Sequence, residues 1–163
     1  MSRSIFLTLI LATMLSGTVA SAQTEVVKPG AAEISREASH QRTNTMRIHI
    51  KLEDRILTAT LEDTATSRDF VSLLPLILTL EDYAATEKIS NLPRRLSKEG
   101  APAGSDPSIG DITYYSPWGN LAIFYRDAAY ASGLIKLGAI ESGIEALSRP
   151  GSFRATIDLV TQR

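Results

Sequence analysis

Asp111-Ile112-Thr113-Tyr114-Tyr115-Ser116-Pro117-Trp118-Gly119-Asn120-Leu121-Ala122-Ile123-Phe124-Tyr125 holds two β-prone runs around a short polar break. Pro117 and Gly119 supply the backbone angles of a tight turn, so the stretch reads as strand, turn, strand. Successive side chains of a strand point to opposite faces, so only one of Tyr114 and Tyr115 can enter a core while the other faces a surface or groove. Phe124 is expected in the core. Trp118 is the largest side chain of the turn and has no evident burial partner in its neighbourhood. An exposed indole there suits an apolar ligand or a peptide, whereas a folded-back one would plug the end of the structure.

Upstream, Met46, Ile48, Ile50 and Leu52 alternate with Arg47, His49 and Lys51. Leu57, Ala59 and Leu61 alternate in the same way with Ile56, Thr58 and Thr60. Period two marks strands with one buried face, and the short Glu53-Asp54 link makes the two runs an antiparallel hairpin. Thr66 and Asp69 have the spacing of a capping box that opens a short helix bearing Phe70, Leu73 and Leu74, which Pro75 ends. Leu76, Leu78 and Leu80 restart the alternation, and Lys88-Ile89-Ser90 gives another short strand.

Ser97 to Gly110 contains Gly100, Pro102, Gly104, Pro107 and Gly110 and reads as a long loop of the kind that often carries function. A second loop surrounds Ser132-Gly133. Downstream, Leu134 to Ile140 is β-prone, while Ile140, Ile144 and Leu147 have the spacing of one face of a short helix, ended by Pro150-Gly151. Phe153, Ala155, Ile157 and Leu159 form the last strand. The expected fold is mainly β: a closed or nearly closed antiparallel barrel with two short helices, since closure removes exposed strand edges.

The N-terminus reads as an export signal. Arg3 is the only charge before Gln23, and the apolar run Ile5–Leu15 is far shorter than the roughly 20 residues of a membrane-spanning helix. Ala20 and Ala22 fit the small-residue cleavage rule, which gives a signal peptide over residues 1–22. Gln23 to Thr45 is poor in large apolar residues and is expected to be a flexible tether, followed by one domain over residues 46–163. The expected location is periplasmic or secreted. The chain has no Cys, which excludes disulfides and a lipid-modified cysteine. Without the signal peptide, 16 Lys and Arg face 18 Asp and Glu, a balance that favours neither nucleic acid nor an anionic membrane.

Several of these segments resemble a known family. Trp118 to Tyr125, followed after a loop by Leu137-Gly138-Ala139-Ile140-Glu141-Ser142-Gly143-Ile144, is similar to the later half of cyclophilins. Leu92-Pro93-Arg94-Arg95-Leu96, Glu99 to Gly104 and Tyr114 to Asn120 resemble small bacterial cyclophilin-like domain proteins, and that likeness runs from about Met46 to Leu159. The resemblance implies a cyclophilin-like barrel without implying a reaction, because that bacterial group is defined by its fold. True cyclophilins isomerise X-Pro bonds, across a barrier of about 20 kcal/mol, with an Arg, a Phe and a His. Here the resemblance puts Leu134 where that His belongs, and Arg94 and Arg95 match the catalytic Arg by type only; solvated surface is the better reading of the pair.

Other chemistries lack their materials. His40 falls in the tether and His49 on the polar face of a strand, so neither a Cys/His zinc site nor a Ser-His-Asp triad can be assembled. The Gly100–Gly110 glycines lack the Lys-Ser/Thr ending of a phosphate loop, and no cofactor or metal is expected. The carboxylate pairs Glu53-Asp54 and Glu81-Asp82 suit turns and strand ends. The leading expectation is a binding module for an extended peptide or small apolar ligand, held by Trp118, Asn120, Tyr114, Tyr115 and Arg94 with the Ser97–Gly110 loop nearby. The alternative is a divergent peptidyl-prolyl isomerase.

Overall fold

The computed structural model describes residues 46–160. The expected signal peptide and tether lie outside the described residues. Eight strands close into an antiparallel barrel: β1 (Met46–Lys51), β2 (Ile56–Leu61), β3 (Leu76–Tyr83), β4 (Glu87–Asn91), β6 (Asp111–Tyr115), β7 (Asn120–Phe124), β9 (Leu134–Ser142) and β10 (Phe153–Leu159). Their order around the barrel is β1-β10-β3-β4-β7-β6-β9-β2, with β2 returning to β1. Two short strands, β5 (Gly104–Ser105) and β8 (Ala131–Ser132), pair with each other outside it.

The period-two patterns define the barrel interior. Ile48, Ile50, Leu57, Ala59 and Leu61 are buried from the first hairpin, as are Leu76, Leu78 and Leu80 from β3 and Ala155 and Ile157 from β10. Met46 pairs with Leu61 and Lys51 with Ile56, and the hairpin is closed by Leu52 N–H donating to the Arg55 carbonyl at 2.8 Å. Gly138 stands where β9 crosses β2: a Cβ at that position would fall inside contact distance of the Thr60 carbonyl and the Leu61 backbone.

One α-helix, α1 (Ala65–Val71), follows β2, and Phe70 from it is fully buried in the barrel core. Its cap is Thr64, two residues before the expected Thr66: Thr64 has extended backbone and its hydroxyl accepts from Ser67 N–H at 3.1 Å. The Asp69 carboxylate is occupied elsewhere, and the helix ends at Val71, short of Pro75. The second expected helix is a single 3-10 turn at Ile144–Ser148. Ile140 belongs to β9 instead, because pairing of β9 with β2 carries strand geometry through Ser142.

Candidate functional site

The pleat of β7 organises the site. All five of its residues are buried, which requires cover on both faces of the strand. Leu121 and Ile123 point into the barrel core, whereas Ala122 and Phe124 join Leu134 in a second apolar cluster, with Ile89, Tyr115, Ala128 and Ala131 packed against it. The register places Glu87 opposite Phe124, Ile89 opposite Ala122, and Tyr115 opposite both Asn120 and Leu134. These residues therefore share the outer face of the wall β4-β7-β6-β9.

Two loops cover that face and are bonded to each other. Gly104–Ser105 pairs with Ala131–Ser132. Gly133 N–H donates to the Ala103 carbonyl at 2.7 Å, Ala128 N–H to the Pro107 carbonyl at 3.2 Å, and Ile109 N–H to Asp127 Oδ1 at 2.9 Å. The long loop thus folds back along the wall and is tied to the 126–133 segment. Between loops and wall remains a cavity of about 230 Å³, lined chiefly by apolar and aromatic side chains together with Glu87 and Asn120.

Of the four aromatic residues lining this cavity, Tyr83, Tyr115 and Trp118 have rings in contact. Trp118 meets Tyr83 edge-on, with centroids 5.6 Å apart at 87°, and Tyr115 in the same manner at 5.4 Å and 81°. All three line the cavity, and Trp118 is 57% exposed. The turn carrying it is held open by Gly119, whose φ of 78° lies in the left-handed region, and by Gly119 N–H donating to the Tyr115 carbonyl at 2.8 Å. Arg95 Nη1 donates to the Ser116 carbonyl at 2.6 Å, which clamps the turn from the other side.

The polar groups of the cavity are incompletely partnered. Asn120 Nδ2 donates to the Leu121 carbonyl at 3.2 Å, but Asn120 Oδ1 is buried with no donor among the described residues. Glu87 is half-buried in an apolar surround, and that desolvation pushes its carboxyl up from 4.5 to about 7. The site thus combines a shaped apolar volume, aromatic rings, an unpartnered polar acceptor and a carboxyl that changes charge near neutrality.

Of the five residues expected at a site, Trp118, Asn120 and Tyr115 come together at the cavity. Tyr114 does not: it lies inside the barrel, 1% exposed, with its hydroxyl accepting from Leu96 N–H at 3.2 Å. Arg94 is also elsewhere. It forms a two-pronged pair with Asp69 at 2.6 and 3.0 Å, and the Asp69 carboxyl is held down at about 2 by that guanidinium and by Ser97 N–H. Phe124 is buried as expected, but in the outer cluster and not the barrel core. Pro107, Leu134 and the 128–131 loop complete the lining and were not singled out as site residues by the sequence. Glu87 was missed too, although Glu87 and Ile89 on one face of a strand are a visible signal of a carboxylate on an apolar surface.

The described residues thus form a closed eight-stranded antiparallel barrel with a loop-covered pocket on the outside of one wall. The chain belongs to the cyclophilin-like family, whose model matches residues 50–158. Among solved structures, a solution structure of a hypothetical protein from Archaeoglobus fulgidus is similar, with a TM-score of 0.57 at 18% identity over 74% of this chain and 98% of that one. At that identity the likeness shows the fold alone. No curated protein matches this chain.

Proposed function

We propose that this protein is an exported binding module whose outer-wall pocket holds a small apolar ligand or an apolar side chain of an extended peptide. The observation that carries the reading is the cavity itself: about 230 Å³, walled by Tyr83, Tyr115, Trp118 and Phe124. Pockets for small ligands are largely preformed and apolar with a few placed polar groups, and here those groups are Glu87 and Asn120. Neither Arg nor His is among the lining residues, and Leu134 occupies the wall, which favours binding over prolyl isomerisation. Export rests on the Arg3, Ile5–Leu15 and Ala20-Ser21-Ala22 pattern.

Trp118 is the chain's single tryptophan, so its fluorescence reports on the pocket directly. A titration with 1-hexanol is expected to change that emission saturably, while a protease-coupled assay on proline peptides detects no isomerisation above background. Cyclophilin-like turnover would overturn the module in favour of an isomerase. The exported protein is expected to begin at Gln23 on N-terminal sequencing, and retention of Met1 in that material would overturn the signal-peptide assignment.

A further inference from the structure

We propose that the pocket selects a cation on an apolar stem: an ammonium group, borne by a free alkylamine or a lysine side chain, seated between the Tyr83-Trp118-Tyr115 rings and the Glu87 carboxylate. The inference rests on the binding-module reading and specifies the chemistry of its ligand.

Three features of the cavity converge on this class. The rings of Tyr83 and Tyr115 stand at 87° and 81° to Trp118, giving three walls in two near-perpendicular pairs. Ring faces carry negative electrostatic potential and attract cations, most strongly when water is excluded. Glu87 is the only residue of fixed carboxyl chemistry in the lining, and no cationic side chain shares the lining with it. Its carboxyl has neither a hydrogen-bond donor nor an ion-pair partner among the described side chains, so an opposite charge brought by a ligand meets an unpaired one. Asn120 Oδ1, buried without a donor, gives a second acceptor for an N–H group. A carboxylate ligand would face an acidic group and the negative ring faces, and a wholly apolar one would leave both acceptors unmatched.

Burial brings the Glu87 carboxyl up to about 7, which makes it a switch near neutral pH. Tyr83 on β3 and Tyr115 on β6 line the same cavity as Glu87. Tyr125, just beyond β7, is pushed up to about 12, first by burial and then by its hydrogen bond to Asp82. Asp82 is held below the usual carboxylate range, first by that same hydrogen bond and further by Lys88. Arg126 and Asp127 lie on the loop that covers the wall, where Asp127 Oδ1 accepts from Ile109 N–H. When the pocket is empty, Glu87 is therefore partly protonated at pH 7; an ammonium ligand favours the carboxylate, so binding releases a proton.

The experiment compares hexylammonium with 1-hexanol, equal in chain length and different in charge, by Trp118 fluorescence at pH 8 and pH 6 on the full chain. Hexylammonium is expected to bind at least about tenfold more tightly than hexanol at pH 8 and to lose about tenfold in affinity at pH 6, where Glu87 is mostly protonated, while hexanol is indifferent to pH. Glu87→Gln keeps the shape of the side chain, and circular dichroism verifies its fold; in it the two probes should bind alike at both pH values. Equal binding of both probes to the unaltered protein overturns the cation proposal and leaves the binding module standing. Binding of neither removes both. If the variant does not fold, the pH dependence in the unaltered protein still decides the matter. A parallel titration with an N-acetylated, C-amidated Gly-Lys-Gly tripeptide against its norleucine counterpart assigns the source: preference for the lysine peptide over hexylammonium identifies a peptide ligand, and the reverse a free amine.

Discussion

Glu87 and Lys88 are neighbours on β4, and the pleat sends them to opposite sides of the same wall. Lys88 points inward and is fully buried, yet every acceptor it needs is present. Its ammonium donates to the Arg149 and Gly151 carbonyls at 2.9 and 2.8 Å, lies 3.1 Å from Asp82 Oδ2, and sits 4.6 Å from the centre of the Phe153 ring. Glu87 points outward into the pocket and has no such set. A buried charge with its partners built in is a structural element of the barrel end, tying β4 to the segment between the 3-10 turn and β10. A half-buried carboxyl left unmatched beside a cavity destabilises the empty protein, and such a cost is retained most readily where something else supplies the partner. The difference between the two residues is thus a difference between a completed site and an open one.

The largest effect expected from breaking this contrast is at Lys88. In Lys88→Met the stem still packs, but two carbonyls lose the ammonium donor and Asp82 loses its ion-pair partner, keeping only the Tyr125 hydroxyl. Removing one member of a buried pair commonly costs 3–5 kcal/mol; because Asp82 retains contact with solvent, a loss of about 2–4 kcal/mol is expected in urea denaturation. A loss below about 1 kcal/mol would mean that water reaches these acceptors once the ammonium is gone, and that Lys88 is no more integral to the fold than Glu87.

Glu87 should show the opposite behaviour, and pH reveals it. Its folded-state value, about 7, is above the unfolded 4.5, so the native state holds the proton more tightly. Stability from this group is fully present below pH 4.5 and is lost as pH rises through 7. The complete shift would correspond to about 3 kcal/mol, and partial solvent access reduces the expected loss between pH 5 and pH 8 to about 2 kcal/mol. Glu87→Gln should flatten that part of the profile and equal or exceed the parent's stability at pH 8. A profile of the same slope in both proteins would assign the pH dependence to another group.

How much of this could be read in the sequence follows the same division between the two sides of the wall. Barrel-forming alternation is local: Ile48, Ile50, Leu78 and Leu80 announce their face by spacing alone, and the Pro117-Gly119 turn fixes the pairing of β6 with β7. The outer pocket is not local. It needs the 103–110 and 126–133 loops to bond to each other, and neither loop carries a hydrophobic period that would reveal its partner. Tyr114 and Tyr115 illustrate the limit, since alternation states that they diverge but not which one enters the barrel. Arg94 was drawn to the site by residue type, whereas the structure commits it to Asp69, twenty-five positions earlier in the chain. Strand period also misleads at Phe124, where a covered outer face looks in sequence like a second interior one.

Trp118 gives the finest test of the contrast, because there the effects on stability and on binding should separate. A Trp plugging the barrel would cost about 3–5 kcal/mol when truncated, as large buried aromatics do. This Trp is 57% exposed, rests on two edge-on ring contacts, and belongs to a turn whose backbone is held independently by Gly119 and Arg95. Edge-on aromatic pairs contribute about 0.5–1.5 kcal/mol each, and less when one ring is solvated, so Trp118→Ala should lower stability by about 1 kcal/mol. Its ligand affinity should fall far more, since the middle of three ring walls is gone; calorimetry replaces fluorescence as the readout once the tryptophan is absent. A stability loss above about 3 kcal/mol would reassign Trp118 to the completed interior, on the side of Lys88. Unchanged calorimetric binding of hexylammonium would remove the rings from recognition and leave Glu87 to act alone.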